Sequence, residues 1–171
     1  MNSENRNGNT GSKGLFFLIF LTVLDQLTKY LAYTNLKGTS GISLIPGAFE
    51  LFYLENRGAA FGMFADRQWF FIMIALIILA AAVYVYVLLP QDSHYVGMRI
   101  CTVLIAAGAI GNMLDRIMHR YVIDFLYISL IDFPVFNIAD CYVVVGALLL
   151  LLLIFTLYRN DNFEFLDPRK D

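Results

Sequence analysis

Charged residues are scarce in this chain of 171 residues, of which 15% are Asp, Glu, Lys or Arg and 59% are hydrophobic. An average soluble domain is about half apolar and about a quarter charged, so the composition favours one compact membrane domain. The net charge of −2 leaves no excess of basic side chains that could bind phosphates. We therefore expect no nucleic-acid partner.

Cysteine and histidine are also rare, with two residues of each type. Cys101 and Cys141 fall in apolar runs without a CxxC spacing, which predicts two small buried residues and neither a disulfide framework nor a zinc site. The sequence lacks a glycine-rich phosphate loop, an HExxH motif and a GxSxG motif. We expect no metal, no cofactor and no serine or cysteine nucleophile.

Long apolar runs are what the chain does contain, and a run of about 20 residues is enough to cross a bilayer. Four such runs cover residues 15–33, 68–89, 96–118 and 140–158. No small-residue cleavage site follows the first run, so it predicts a retained span and not a cleaved signal peptide. Alanine and glycine cluster over residues 106–111 of the third run, which predicts that this helix lies inside the bundle.

Two long connections and two polar tails complete the predicted organisation. Residues 1–14 are rich in Asn, Gly and Ser and are expected to form a disordered tail, and residues 159–171 form a second tail. Residues 35–67 contain short alternating stretches between turn residues, which predicts a small β-rich module outside the membrane. Residues 119–139 are the second connection. The fold class is therefore a mainly α membrane protein, with a four-span domain over residues 15–158.

Four spans place both termini on the same side of the membrane. The basic residues divide almost evenly between Arg6, Lys13, Arg99, Arg159, Arg169 and Lys170 on one side and Lys37, Arg57, Arg67, Arg116 and Arg120 on the other. If a polar site holds Arg57 and Arg116, the remaining balance favours cytoplasmic termini by the positive-inside rule. The long connections would then be extracytoplasmic, and the apolar residues 59–64 are expected to lean on the bilayer.

Several ionisable residues interrupt or flank the spans, where a lone charge at mid-membrane costs about 3 kcal/mol or more. Asp25 and Lys29 are four residues apart and share a face on a helix. As a pair they either snorkel to the interface or line a polar cavity. Asn112, Asp115 and Arg116 project from one side of the third span near its end, where Asp115 either forms a structural ion pair or supports a site.

Asp124 and Asp140 are the two carboxylates that we predict to be catalytic. Two carboxylates brought together cannot both ionise cheaply, so one keeps a proton while the other stays charged. The ionised group can take a proton from a water that attacks a peptide carbonyl, and the protonated group can donate to the developing oxyanion. The pattern alone leaves simpler roles open, because Asp140 or Asn137 could cap the fourth helix and Asp124 could face solvent on a strand.

Five segments, taken in order, resemble those of the prolipoprotein signal peptidase family, also called signal peptidase II. They are residues 25–29 (DQLTK), 56–61 (NRGAAF), 108–116 (GAIGNMLDR), 122–125 (VIDF) and 136–140 (FNIAD). Each segment is a weak pattern by itself, but all five in order on four spans are highly specific. The chain departs from the family pattern at Arg120, where the family often has glycine.

The resemblance implies an aspartic endopeptidase of the bacterial inner membrane that cleaves a prolipoprotein just before its diacylglyceryl-modified cysteine. It implies that Asp124 and Asp140 are the catalytic pair. It implies supporting or substrate-binding roles for Asp25, Lys29, Asn56, Gly58, Gly108, Asn112, Asp115, Arg116, Asn137 and Ala139. It further implies contact with membrane lipid, inhibition by globomycin-type cyclic peptides and a site near the extracytoplasmic surface, which a monomer would suffice to form.

Two rival functions use the same residues. A small transporter or channel would have as its ion relay Asp25, Lys29, Asp115 and Arg116. That function predicts polar residues throughout the membrane depth, whereas the second span has no charged residue. A non-catalytic membrane scaffold would leave Asp124 and Asp140 dispensable.

Overall fold

The computed structural model describes residues 4–58, 67–159, 161 and 163. Within these residues the chain forms four α-helices and a three-stranded sheet. In order, the elements are α1 (Glu4–Leu36), β1 (Ile42–Ile45), β2 (Phe49–Asn56), α2 (Gln68–Leu88), α3 (Val96–His119), β3 (Val122–Tyr127) and α4 (Ile138–Phe155). Two single-turn 3-10 helices, Ser93–Tyr95 and Ser129–Ile131, lie before α3 and after β3.

Each predicted span corresponds to a helix that is long and apolar enough to cross a membrane. The four candidate spans are Gly11–Leu36, Gln68–Leu88, Ser93–His119 and Ile138–Phe155. The mainly α class with four spans and a small sheet is therefore confirmed. The second tail lies mostly outside the described residues, as do residues 59–64, which were expected to lean on the membrane.

The first helix begins earlier than the sequence predicts. Residues 1–14 were expected to form a disordered tail, but α1 starts at Glu4. Extending an existing helix fixes one residue for each new hydrogen bond, so polar residues can join a helix that the apolar run has nucleated. Residues 1–3 lie outside the described part of the chain.

The third helix is the interior helix of the bundle, as its small residues predicted. About 56% of its span is buried, against 11–22% for the other three spans. A Cβ atom on Gly108 would overlap the carbonyl oxygen of Ala139, and one on Gly111 would overlap a carboxylate oxygen of Asp25. The two glycines therefore let α3 approach α1 and the start of α4 closely, which brings polar groups of three helices together.

The sheet joins the two long connections. Its strands are antiparallel in the order β1-β2-β3, with Asn56 opposite Val122 and Leu54 opposite Asp124. One face packs on the end of α1, because Ala32 and Leu36 share a buried cluster with side chains of β3. This packing fixes the sheet beside the end of α1.

The turn between α3 and β3 contains the departure from the family pattern. Arg120 follows the last residue of α3, has φ 64°, and donates its backbone N–H to the carbonyl of Arg116 at 3.1 Å. This left-handed conformation favours glycine, since a side chain costs about 1–2 kcal/mol there. The turn therefore keeps the shape that a glycine would give it, with an arginine in the strained position.

We expect Arg120→Gly to stabilise the protein. Relief of the strain outweighs the greater entropy of glycine in the unfolded chain, so the free energy of unfolding should rise by about 0.5–1 kcal/mol. The thermal midpoint should then rise by about 2 °C. Thermal unfolding in detergent measures the shift. Arg120→Ala removes the same side chain but retains the strain, so an equal shift in both variants would contradict this explanation.

Candidate active site

Asp124 lies on β3, outside the membrane-spanning segments, with 2% of its surface exposed. Its two carboxylate oxygens accept hydrogen bonds from asparagine side chains. The Nδ2 of Asn56 donates to Oδ2 at 2.8 Å, and the Nδ2 of Asn137 donates to Oδ1 at 2.6 Å. Asp124 is therefore a buried carboxylate held on both oxygens, and not a solvent-facing charge on a strand.

Asp140 lies in the first turn of α4 and is half-buried. Its Oδ1 accepts from the Nδ2 of Asn112 at 2.7 Å, and its Oδ2 accepts from the backbone N–H of Asn137 at 3.1 Å. Asn137 is the residue that caps the helix, and Asp140 completes a capping box with it. Asp140 therefore accepts two hydrogen bonds at the N-terminus of α4.

Asn137 links the two carboxylates directly. Its side chain donates to Asp124, while its backbone N–H donates to Asp140. Asn137 is fully buried, and its Nδ2 also lies 3.1 Å from the Oδ1 of Asn112. The structure therefore brings together the two carboxylates that the sequence analysis paired, although 15 residues separate them in the chain.

The two carboxylates differ in their surroundings. Burial raises the pKa of Asp124 to about 7, and the nearby charge of Asp140 contributes in the same direction. The hydrogen bonds from Asn56 and Asn137 oppose this shift but do not cancel it. Asp124 therefore holds a proton up to about neutral pH.

A buried charge cluster lies behind the carboxylate pair. The Nζ of Lys29 lies 2.9 Å from Asp25 and 3.0 Å from Asp115, and all three side chains are at most 2% exposed. The same Nζ donates to the Oδ1 of Asn112 at 2.9 Å. Asp25 and Lys29 therefore line a polar interior and do not snorkel to the interface, and Asp115 pairs with Lys29.

The two acids of this cluster hold the backbone next to each member of the pair. Asp25 accepts the backbone N–H of Ala139 at 3.0 Å, one residue before Asp140. Asp115 accepts the backbone N–H of Ile123 at 3.0 Å, one residue before Asp124. The cluster thereby fixes the positions of β3 and α4 relative to each other.

Arg116 lies in the same region but bonds to neither member of the pair within the described part of the chain. Its guanidinium packs over the ring of Phe71 at 4.7 Å and donates to the carbonyl of Asn112 at 3.2 Å. Its Nε is buried without a hydrogen-bond partner among the described residues. Gly58 closes a turn by donating its N–H to Asn56 at 3.0 Å, so Asn56 serves both the turn and Asp124.

Two residues near the site were missed by sequence reasoning. The Nε2 of Gln26 lies 3.0 Å from Asp115 and 3.2 Å from both Asp25 and the carbonyl of Gly111. A polar residue beside Asp25 in an apolar run was the available signal. Gly111, which leaves space for Asp25, could be found only as part of the small-residue cluster.

Comparison with known proteins gives consistent matches. The profile of the peptidase A8 family, described as signal peptidase (SPase) II, matches residues 17–156. The lipoprotein signal peptidase of Streptococcus pyogenes serotype M1 is 38% identical over 146 residues, which cover 85% of this chain and 93% of that protein. Its counterpart from S. pyogenes serotype M5 is 37% identical over the same length.

Two solved structures share the fold over nearly the whole chain. A bacterial membrane enzyme solved at 2.3 Å resolution aligns with a TM-score of 0.74 at 31% identity, and the match covers 89% of this chain and 92% of that one. A second bacterial membrane enzyme, solved at 1.9 Å, aligns with a TM-score of 0.72 at 31% identity, over 85% of this chain and 94% of that one.

Proposed function

The chain belongs to the signal peptidase II family of bacterial membrane proteases, and from that premise we propose that Asp124 and Asp140 are its catalytic pair. The protein removes signal peptides from lipoproteins, and its substrates are prolipoproteins. The observation that carries the assignment of the pair is the shared hydrogen bonding through Asn137, which holds two carboxylates in different electrostatic surroundings.

In this proposal each carboxylate has its own role. Asp140, which accepts hydrogen bonds from Asn112 and from the backbone of Asn137, takes a proton from water. That water attacks the scissile carbonyl, and protonated Asp124 donates to the developing oxyanion. Collapse of the tetrahedral intermediate breaks the C–N bond, and the proton held by Asp140 passes to the departing amine. As the carbonyl re-forms, a hydroxyl of the gem-diol returns a proton to Asp124, so one water is consumed and both groups end in their starting protonation states.

The buried cluster has a positioning role in this proposal. Asp25 and Asp115 hold the backbone next to Asp140 and Asp124, and Lys29 forms an ion pair with each of these two acids. Gly108 gives α4 the space to bring its first turn against α3. The catalytic groups thus stand on a helix and a strand that are fixed from behind, which favours a defined geometry.

Arg116 is a candidate for substrate contact. Among the described residues its Nε has no hydrogen-bond partner and its guanidinium bonds to neither carboxylate, so in this proposal it binds the substrate, through its lipid-bearing end or its backbone. The reacting segment of a signal peptide arrives from the bilayer, which the position of the site at the end of the spans supports. We further propose that the sheet and site are extracytoplasmic, that the termini are cytoplasmic, and that the four-span unit acts as a monomer.

The proposed cleavage can be tested with purified protein reconstituted into vesicles. A prolipoprotein that carries a diacylglyceryl-modified cysteine should be cut just before that cysteine, and mass spectrometry of the product defines the bond. The same prolipoprotein without the lipid is the matched control and should be cut far more slowly. A globomycin-type peptide should block the reaction. Ion flux without cleavage would contradict the assignment and favour the transporter alternative.

The raised pKa of Asp124 predicts how kcat/KM depends on pH. The proton on Asp124 is present below about pH 7 and is lost above it, so kcat/KM should fall about tenfold for each pH unit above that value. The measurement is kcat/KM for a lipidated substrate from pH 5.5 to 9. A profile that stays level through pH 9 would show that Asp124 does not act as the proton donor.

A further inference from the structure

Large apolar side chains are exposed at the end of the sheet away from α3, where β3 ends and the chain turns from β1 into β2. We call this surface the apolar tip; it consists of Leu44, Ile45, Leu130, Ile131 and Phe133, which are 46–71% exposed. Two segments meet there, since the backbone N–H of Leu130 donates to the carbonyl of Ala48 in the turn between β1 and β2. The tip is therefore one surface built from both connections.

The apolar tip is almost free of charge. No charged residue occurs from residue 38 to residue 49. The carboxylate of Asp132 accepts the hydroxyl of Tyr127 at 2.7 Å, so its charge is partly satisfied within the module. A water-facing loop carries polar side chains, whereas a contiguous exposed apolar patch marks an interaction surface.

The height of the sheet indicates what covers this surface. Along the axis of α1, Leu36 lies about 32 Å from Leu15, the first exposed large apolar residue of that helix, and a hydrocarbon layer is about 30 Å thick. The end of α1 therefore stands at the boundary between acyl chains and headgroups. Because the sheet packs on Ala32 and Leu36, it lies at this boundary as well. Tyr33 and Tyr53, with ring centroids 6.1 Å apart, are the aromatic pair expected at that depth.

We propose that the apolar tip inserts into the headgroup region of the phospholipid bilayer, as a further anchor beside the four spans. A neutral apolar surface on a module that packs against the end of α1 has the bilayer surface within reach. A partner strand is less well accommodated, because β1 has four residues, an irregular register between Ser43 and Ile45, and Pro46 directly after it. The anchor fixes the depth of β2 and β3, which carry Asn56 and Asp124.

This inference does not depend on the proposed catalytic roles, and tryptophan fluorescence can test it directly. Trp69, the only tryptophan in the chain, is 80% exposed at the start of α2 and serves as a reference for the interface. In a Trp69→Phe background, Leu130→Trp is reconstituted into phosphatidylcholine–phosphatidylglycerol vesicles with and without lipids brominated near the headgroup. The matched control is Asn5→Trp near the start of α1, about 15 Å along the helix axis beyond Leu15 and thus outside the bilayer.

We expect bromolipid to quench the Leu130→Trp variant about as strongly as it quenches Trp69 in the native protein, and to leave the Asn5→Trp variant nearly unquenched. Ile131→Trp repeats the measurement if the Leu130 variant does not fold. Emission and quenching equal to those of the Asn5→Trp variant would overturn the proposal. A shielded emission that bromolipid does not quench, and that changes with the protein-to-lipid ratio, would also overturn it, since a second copy would then cover the tip.

Discussion

Asp124→Asn and Asp140→Asn should each reduce kcat for signal-peptide release by at least about 10³-fold, while leaving the protein folded. Asparagine keeps the shape and an oxygen acceptor for Asn56, Asn137 or Asn112, but it can neither take nor give a proton. The measurement is single-turnover cleavage of a lipidated prolipoprotein, with thermal unfolding of each variant as the check on folding.

Asp132→Asn is the control for this pair of variants. Asp132 follows β3, the strand that carries Asp124, and it is exposed. Among the described residues, its carboxylate accepts a hydrogen bond only from the hydroxyl of Tyr127. Its activity should remain close to that of the native protein. The double variant Asp124→Asn/Asp140→Asn should be little worse than either single variant, since residues that act as a unit are not additive. Retained activity in either folded single variant would contradict the assignment of Asp124 and Asp140 as the catalytic pair.

The spans were predictable because they depend on local composition. Runs of about 20 apolar residues identify their own helices, and glycine and alanine in the third run identified the interior helix. The start of α1 was not predictable. The polar residues 4–14 have little helix preference of their own, and they extend the helix that the following apolar run nucleates. Arg120 likewise shows that a turn can keep its conformation when the favoured glycine is absent.

The site depends on contacts that are distant in sequence, and spacing cannot supply these. Asp25 bonds to Ala139 across 114 positions, and Gln26 reaches Asp115 across 89. The sequence left open whether Asp115 or Asp124 was structural. The family resemblance was what favoured Asp124 over Asp115 as a catalytic residue. The structure adds a physical reason, since Asp115 forms an ion pair with Lys29, whereas the donors to Asp124 among the described residues are neutral asparagines and the charge of Asp140 lies nearby.

Lys29→Met should be the most destabilising single substitution in the buried cluster. It leaves the carboxylates of Asp25 and Asp115 buried without a cation, and removal of one partner of a buried ion pair costs about 3–5 kcal/mol. The thermal midpoint should fall by about 10 °C. Lys37→Met is the matched control, because Lys37 forms an ion pair of similar length with Glu55 at the surface, where solvent screens it. Its midpoint should stay close to that of the native protein.

The triple variant Asp25→Asn/Lys29→Met/Asp115→Asn separates a positioning role from a chemical one. It buries no charge, so most of the lost stability should return. Each asparagine can still accept the backbone N–H that its aspartate held, at Ala139 and at Ile123. If the cluster acts only by holding α4 and β3 in place, the triple variant should recover much of the kcat that Lys29→Met loses. A triple variant that is stable but as inactive as Asp124→Asn would show that the charge of Lys29 takes part in the reaction, and the positioning role would have to be abandoned.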